Sequence, residues 1–432
     1  MTSTKSLGWI GEFPASWDVM PNKALIRKKK VSVGAKADDY PLLSLTKGGV
    51  IVRNLDEGGK FPENFDSYQR VSAGDLVTCL FDVPETPRTI GLSKHDGMIT
   101  GAYDVFEFSD RVNPRYFEYY YLALDDRKGL SYFYSGLRNV IRTPVFLSIP
   151  TPVPPLDEQG GIADFLDREL AQIDALIAKQ DEVLENLRQR RSAVILSRVC
   201  GNAKIEAPSA RNLEEFFTGL PRGWHTQPLK GLIIRNDGGA WGEDPSGDQS
   251  DVVVLRSTEQ TILGEWEIVD PAIRSLSSKE YAATRLMEGD IVLTKSSGSL
   301  DHIGKCTLVT NNSGAIDASY SNFMQRLRPK PGISSKFIWW YLNSEAAKVQ
   351  WRLNSTSTTG LGNLNSTVIS NLRVPVPPQN SQNEIATQID EDVRGIDALI
   401  SSSLNSIELF IERRQSLISA AVTGKIDVRK VA

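Results

Sequence analysis

The sequence predicts an α+β protein built as a pseudo-twofold internal repeat, in which two mixed α/β domains are joined by two long helices that pair as an antiparallel coiled coil. Three observations predict it. The pentapeptide IDALI stands at 173–177 and again at 396–400. Apolar residues at heptad spacing surround both copies. The stretches before each copy carry short β-rich runs broken by Gly, Pro, Asn and Asp.

The helical part of the repeat admits no gap. A shift of 223 carries Val153-Pro154-Pro155 onto Val376-Pro377-Pro378, Gln159 onto Gln382, Asp167 onto Asp390, Arg190-Arg191 onto Arg413-Arg414 and Gly201 onto Gly424. In the first copy a heptad seam runs through Ile162, Leu166, Leu170, Ile173, Ile177, Leu184 and Leu187; in the second it runs through Ile385, Ile389, Val393, Ile396, Ile400, Ile407 and Phe410. Both seams turn polar at the same places, Gln180 with Ser403 and Arg191 with Arg414. These positions suit a tolerated wet layer or a device that sets register. Pro154-Pro155 and Pro377-Pro378 precede each helix, where a missing N–H costs nothing, and Gly201 and Gly424 suit the C-terminal stop. A helix from Asp157 to Val199 is roughly 64 Å long at about 1.5 Å per residue. It cannot bury a one-sided seam alone; the economical partner is the other copy, run antiparallel because residues 201–372 lead from the end of one helix to the start of the next, and a seam between two chains is the alternative.

The domains repeat more loosely. Pro14 and Trp17 match Pro221 and Trp224 at an offset of 207, Gly74-Asp75 matches Gly289-Asp290 at 215, and Ser135-Gly136-Leu137-Arg138-Asn139 matches Thr359-Gly360-Leu361-Gly362-Asn363 at 224. Insertions therefore accumulate in the domains and not in the helices. The runs at 41–46, 74–81, 251–257 and 289–295 read as strands, and the aromatic stretches 116–122 and 337–342 read as short buried helices. The boundaries fall at 1–150 and 207–372 for the domains, with helical regions at 151–206 and 373–432.

Composition narrows the class. The net charge is -4; residues 1–150 hold 19 Lys and Arg against 18 Asp and Glu, and residues 201–372 hold 17 against 18. Any affinity for nucleic acid must therefore come from local clusters or from partner subunits. Cys79, Cys200 and Cys306 are odd in number and far apart, which suggests buried thiols rather than disulfides or a metal site. Neither a run of about 18 apolar residues nor a signal-peptide pattern is present, which predicts a cytoplasmic protein with no membrane partner.

A pair of variable domains, each entered through P-x-x-W and followed by V-P-P-(x)3-Q and a long helix, resembles the specificity subunit of type I restriction-modification enzymes over essentially the whole chain. The resemblance implies that the domains are target-recognition domains and that the helices space them. It implies a bipartite double-stranded DNA target, one half per domain, with docking to two methyltransferase subunits and assembly with two restriction and translocation subunits. S-adenosylmethionine, ATP and Mg²⁺ are then implied for those partners, and no cofactor or metal for this chain.

Catalytic motifs agree with a non-catalytic reading. Neither V-P-P-L nor V-P-P-Q supplies the [ND]-P-P-[FYW] loop that holds a target amine, and Gly304-Lys305, the nearest match to a phosphate-binding loop, has Ser299 for the first Gly and Cys306 for the last hydroxyl. Asp110 with Asp126-Arg127-Lys128 is a loose match to a nuclease site, and a solvated charge run explains it as well. His95, His225 and His302 lack metal-ligand spacing.

Base readout favours Arg, Lys, Asn, Gln and hydroxyls on loops, with further cations on phosphate. Candidates for DNA contact in the first domain are Lys28, Lys29, Lys30, Arg88, Thr89, Lys94, Arg138, Asn139 and Arg142; in the second they are Arg256, Lys295, Ser296, Ser297, His302, Lys305, Arg352 and Asn363. The alternative to a DNA-specificity subunit is a non-catalytic coiled-coil scaffold whose two domains bind proteins; a stand-alone nuclease is a third reading.

Overall fold

The computed structural model describes residues 3–54, 65–86, 88–205, 216–261, 263–297, 302–354, 356–357 and 362–428. The expected elements at Ser299 and Thr359-Gly360-Leu361 lie outside them. The chain divides into two units, one of Met1–Asp181 with Leu404–Ala432 and one of Glu182–Ser403. Each unit contains one α/β domain, part of the long helix that follows it and part of the other long helix.

In the first unit, a four-stranded antiparallel sheet runs in the order Ile26–Lys29, Asp104–Phe108, Leu76–Thr78, Ile90–Leu92. Against it packs an aromatic helix, Pro114–Asp126, started by Pro114 and by Asn113, whose side chain accepts from the N–H groups of Arg115 and Tyr116. Its Tyr116, Phe117, Tyr120, Tyr121 and Leu124 recur at three- and four-residue spacing and are fully buried. The second unit repeats the arrangement. Its sheet runs Ile233–Gly238, Met324–Pro329, Ile291–Thr294, Cys306–Leu308, and its aromatic helix is Ser335–Leu342, capped by Ser334.

The repeated Gly-Asp has a physical cause. Gly74 and Gly289 take positive φ at the turn into a central strand. Behind each, the Asp carboxylate accepts from the backbone three residues earlier, Ser72 N–H for Asp75 and Met287 N–H for Asp290. It also receives a cation from the sheet: Lys29 at 2.7 Å for Asp75, and Arg328 at 2.6 Å for Asp290.

Each domain is closed by a two-stranded pair, Asp18–Pro21 with Pro150–Val153 and His225–Pro228 with Arg373–Val376. Prolines are tolerated here because these pairs have no further neighbour to satisfy. The long helices then start at Leu156 and Gln379 and run to Cys200 and Val422.

The V-P-P-(x)3-Q spacing is a fastening. Gln159 is buried, accepts from the N–H of Asn113 at 2.7 Å and donates to the Pro154 carbonyl at 2.8 Å. Gln382 does the same with Ser334 and Pro377. In both domains one glutamine therefore ties the first turn of a long helix to the residue that caps the aromatic helix.

The P-x-x-W segment meets the glycine that ends the other long helix. In the first unit Gly424 lies against Pro14 and Trp17, where a Cβ would come within 2.5 Å of the Pro14 ring; in the second, Gly201 lies against Pro221 and Trp224, where it would come within 2.4 Å of Pro221. Both glycines have positive φ.

Within each unit the two long helices run antiparallel. In the second, Arg191 pairs with Asp397 at 2.6 Å and Arg198 with Asp392 at 2.8 Å, so numbers rise along one helix as they fall along the other. In the first, Arg414 pairs with Asp174 at 3.4 Å while Gly161 faces Val428. Ile162, Leu166, Leu170, Ile173, Leu184, Ile389, Val393, Ile396 and Ile400 are buried, and Ile177, Leu187, Ile385, Ile407 and Phe410 are partly so. Among the described residues, no helix is long and apolar enough to cross a membrane.

Candidate nucleic-acid interface

A minority of the candidate contact residues meet at one loop cluster in each domain: Arg138 and Asn139 in the first, and Lys295, Ser296, Ser297 and Asn363 in the second. In the second, strand Ser296–Ser297 pairs with Gly362–Asn363, which also pairs with Thr356–Ser357. There the Ser296 hydroxyl donates to Asn363 Oδ1 at 2.8 Å, Leu364 N–H donates to the Lys295 carbonyl, and the Lys295 ammonium reaches Gln325. Burial pulls the Lys295 pKa down. Exposed Phe323 flanks the cluster, its carbonyl accepting from the N–H groups of Lys295 and Ser296.

The first domain builds the same cluster from other side chains. Ile141 N–H donates to the Leu80 carbonyl and Asp82 N–H to the Arg138 carbonyl, which brings segment 80–82 beside the turn Ser135-Gly136-Leu137-Arg138-Asn139. Gly136 and Asn139 both take positive φ, and Ser135 and Val140 bridge the turn's base. This turn presents a fully exposed Leu137 and an Arg138 that pairs with Asp82. The Arg138 hydrogen bond holds the Asp82 carboxyl below its usual pKa. Where the first domain has Asp82 and Arg138, the second has Ser297 and Gly362. Two sites of one architecture thus carry different chemistry.

The remaining candidates are spread more widely. Lys30, Lys94, Asn139, Arg142 and His302 are exposed. Lys28 pairs with Asp104 at 2.6 Å and reaches Thr143 beside Arg142; Arg352 pairs with Glu345. Against expectation, several candidates are committed inside the fold. Arg88 donates to Glu118 at 2.6 Å, Thr89 is fully buried and bonds Asp125, and Lys29 holds Asp75. Lys305 donates to the carbonyls of Ser257 and Gln260, while Arg256 pairs with Glu259 at 2.5 Å with its side chain still 40% exposed. Strand edges and turns demand such partners, and sequence alone does not reveal them. Asp82, Phe323 and Gln325 are not among the sequence candidates: Asp82 and Phe323 are not of the residue types sought, and Gln325 stands on a strand, Met324–Pro329, rather than a loop.

All three cysteines are free and buried, and burial pushes the Cys200 thiol up to about 12. Among the described residues, no group of three or more His, Cys, Asp or Glu is arranged to hold a metal.

On the long helices the repeat also leaves a matched outer surface. Leu176 and Leu399, the fourth residues of the two IDALI copies, are exposed. In the second unit a groove of about 730 Å³ runs between the helices, lined by Leu187, Val194, Ile396 and Leu399.

What these features define is a duplicated recognition scaffold: two like domains with differently furnished loop clusters, carried on paired helices. Residues 100–186 and 250–409, together more than half of the chain, match the family described as the type I restriction modification DNA specificity domain, and the chain belongs to that family. It is 25% identical to the type I restriction enzyme StySPI specificity subunit of Salmonella potsdam, over 96% of this chain and 90% of that protein. The EcoKI specificity subunit of Escherichia coli K12 is 23% identical over the same shares. A solved structure concerned with complex assembly and conformational transition of the type I R-M system has a TM-score of 0.57 at 13% identity, covering 96% of this chain and 99% of that one, a likeness of fold.

Proposed function

We propose that the chain is a non-catalytic specificity subunit that reads a bipartite DNA target, one half at each loop cluster, and docks methyltransferase subunits on its long helices. The observation that carries this reading is the duplicated cluster with exchanged side chains. A shared architecture gives both domains one docking geometry, and Asp82 with Arg138 against Ser297 with Gly362 gives each its own base preference. The long helices, paired antiparallel within each unit, serve in this reading as the spacer, as the spacing of a dimeric reader sets the distance between half-sites. Exposed Leu176 and Leu399 offer equivalent apolar anchors, which suits two copies of one partner. S-adenosylmethionine, ATP and Mg²⁺ are, in this reading, bound by the partner subunits and not by this chain, in the cytoplasm.

Reconstitution with the matching methyltransferase subunit, followed by mapping of methylated adenines, tests the reading. A split motif with one constant gap is expected, and Arg138→Gly is expected to alter one half and leave the other unchanged. A continuous motif, or a change in both halves, contradicts it.

A further inference from the structure

The seam arginines and the IDALI aspartates form a reciprocal pair of joints. A shift of 223 carries Asp174 onto Asp397 and Arg191 onto Arg414, and the structure pairs Arg191 with Asp397 in one unit and Arg414 with Asp174 in the other. The Arg191 joint is not confined to the helices. Arg191 also lies 5.4 Å from the centre of the Trp340 ring, on the aromatic helix of the second domain, and reaches the Leu263 carbonyl at 3.5 Å. Trp340 in turn donates to Asp390 at 3.0 Å, and Lys336 pairs with the same carboxylate. In the first domain Tyr119 donates to Asp167 at 2.5 Å and Arg115 pairs with that carboxylate. Burial first, then Asp167, pushes the Tyr119 pKa up, while nearby Arg414 opposes the rise. Asp167 and Asp390 are themselves equivalent by the shift of 223.

An arginine at a heptad core position gives up the apolar contact that its neighbours make, and a buried polar residue in a seam is best explained by register control. Its fork is planar and its bond to carboxylate directional, so it fixes an angle that a leucine contact leaves free. We propose that Arg191 and Arg414 are positioning residues that lock the two long helices in register through Asp397 and Asp174, Arg191 also fastening them to the aromatic helix of the second domain, and that they so fix the distance between the two half-sites that the protein accepts. This rests on the bipartite reading above. The Arg191 joint is the more buried and the shorter, with Arg191 12% and Asp397 27% exposed, against 33% and 59% for Arg414 and Asp174. Arg191 should therefore dominate.

The test uses the complex with methyltransferase subunits and duplexes carrying both half-sites at the natural gap or at one base pair more or fewer. The readout is the ratio of methylation rates between gaps. Arg191→Met is expected to lower discrimination between gaps about ten-fold, and Arg414→Met less, with both half-sequences still required. Asp397→Asn, which keeps the side-chain shape, is expected to lower it as well and covers failure of Arg191→Met to fold; Arg191→Lys, which keeps the charge, should retain part of it. Unchanged discrimination in Arg191→Met, or in Asp397→Asn if the former does not fold, overturns the proposal while leaving the bipartite reading intact. A wild-type complex that recognises no split target overturns the reading itself, and the proposal with it.

Discussion

Within IDALI four of the five residues have a task. Ile173 and Ile177, with Ile396 and Ile400, lie on the covered seam; Asp174 and Asp397 hold arginines on the opposite helix; Leu176 and Leu399 face outward. The isoleucines were legible from heptad spacing alone, since periodicity is local. The aspartates were not, because each partner stands more than two hundred residues away and the pairing depends on how the helices meet. The helix-ending glycines were legible as stops, and the structure adds a second reason for them, the close approach of Pro14 and Pro221. Gly201→Ala would place a Cβ in the Pro221 ring and impose a left-handed conformation on a residue that resists it. A loss of about 2 kcal/mol or more is expected in equilibrium unfolding, from backbone strain and overpacking together. A loss below about 0.5 kcal/mol, the usual surface effect, would show that the contact relaxes freely.

At the scale of the element, the strongly patterned parts were read well. Both long helices lie where the seams put them, and both aromatic stretches are buried helices, the first extended to Pro114–Asp126 by the Asn113 cap. Strand pairing was not legible: Gly74-Asp75 and Gly289-Asp290 marked turns, yet the crossing of Asp104–Phe108 between Ile26–Lys29 and Leu76–Thr78 is non-local. For the same reason the candidate DNA contacts could be chosen by residue type but not by exposure. Arg88, Thr89 and Lys305 turned inward to satisfy carboxylates and carbonyls that the fold buries, and Arg256 is held at the surface by Glu259. The outward leucines belong to this scale. Leu399→Asp introduces a charge at the proposed docking surface, at an exposed position on the rim of the groove, so it is expected to weaken methyltransferase binding at least ten-fold with a little-changed thermal midpoint, read by titration of the purified subunits. An unchanged affinity would move the docking surface elsewhere.

At the scale of the molecule, insertions accumulate in the domains and none in the helices, as expected if the readers are free to diverge while the spacer must keep its length. Membership of the specificity family accounts for the order of the parts, and the duplicated joints account for why the helical half tolerates no gap. The most direct measurement is the gap itself. One heptad inserted within 180–187 and a second within the equivalent 403–410 preserves both seams and lengthens the spacer by about 10 Å. Mapping of methylated adenines is predicted to return both original half-sequences with the gap widened by about 3 base pairs, at about 3.4 Å per step. Retention of the original gap by a folded, active complex would contradict the account.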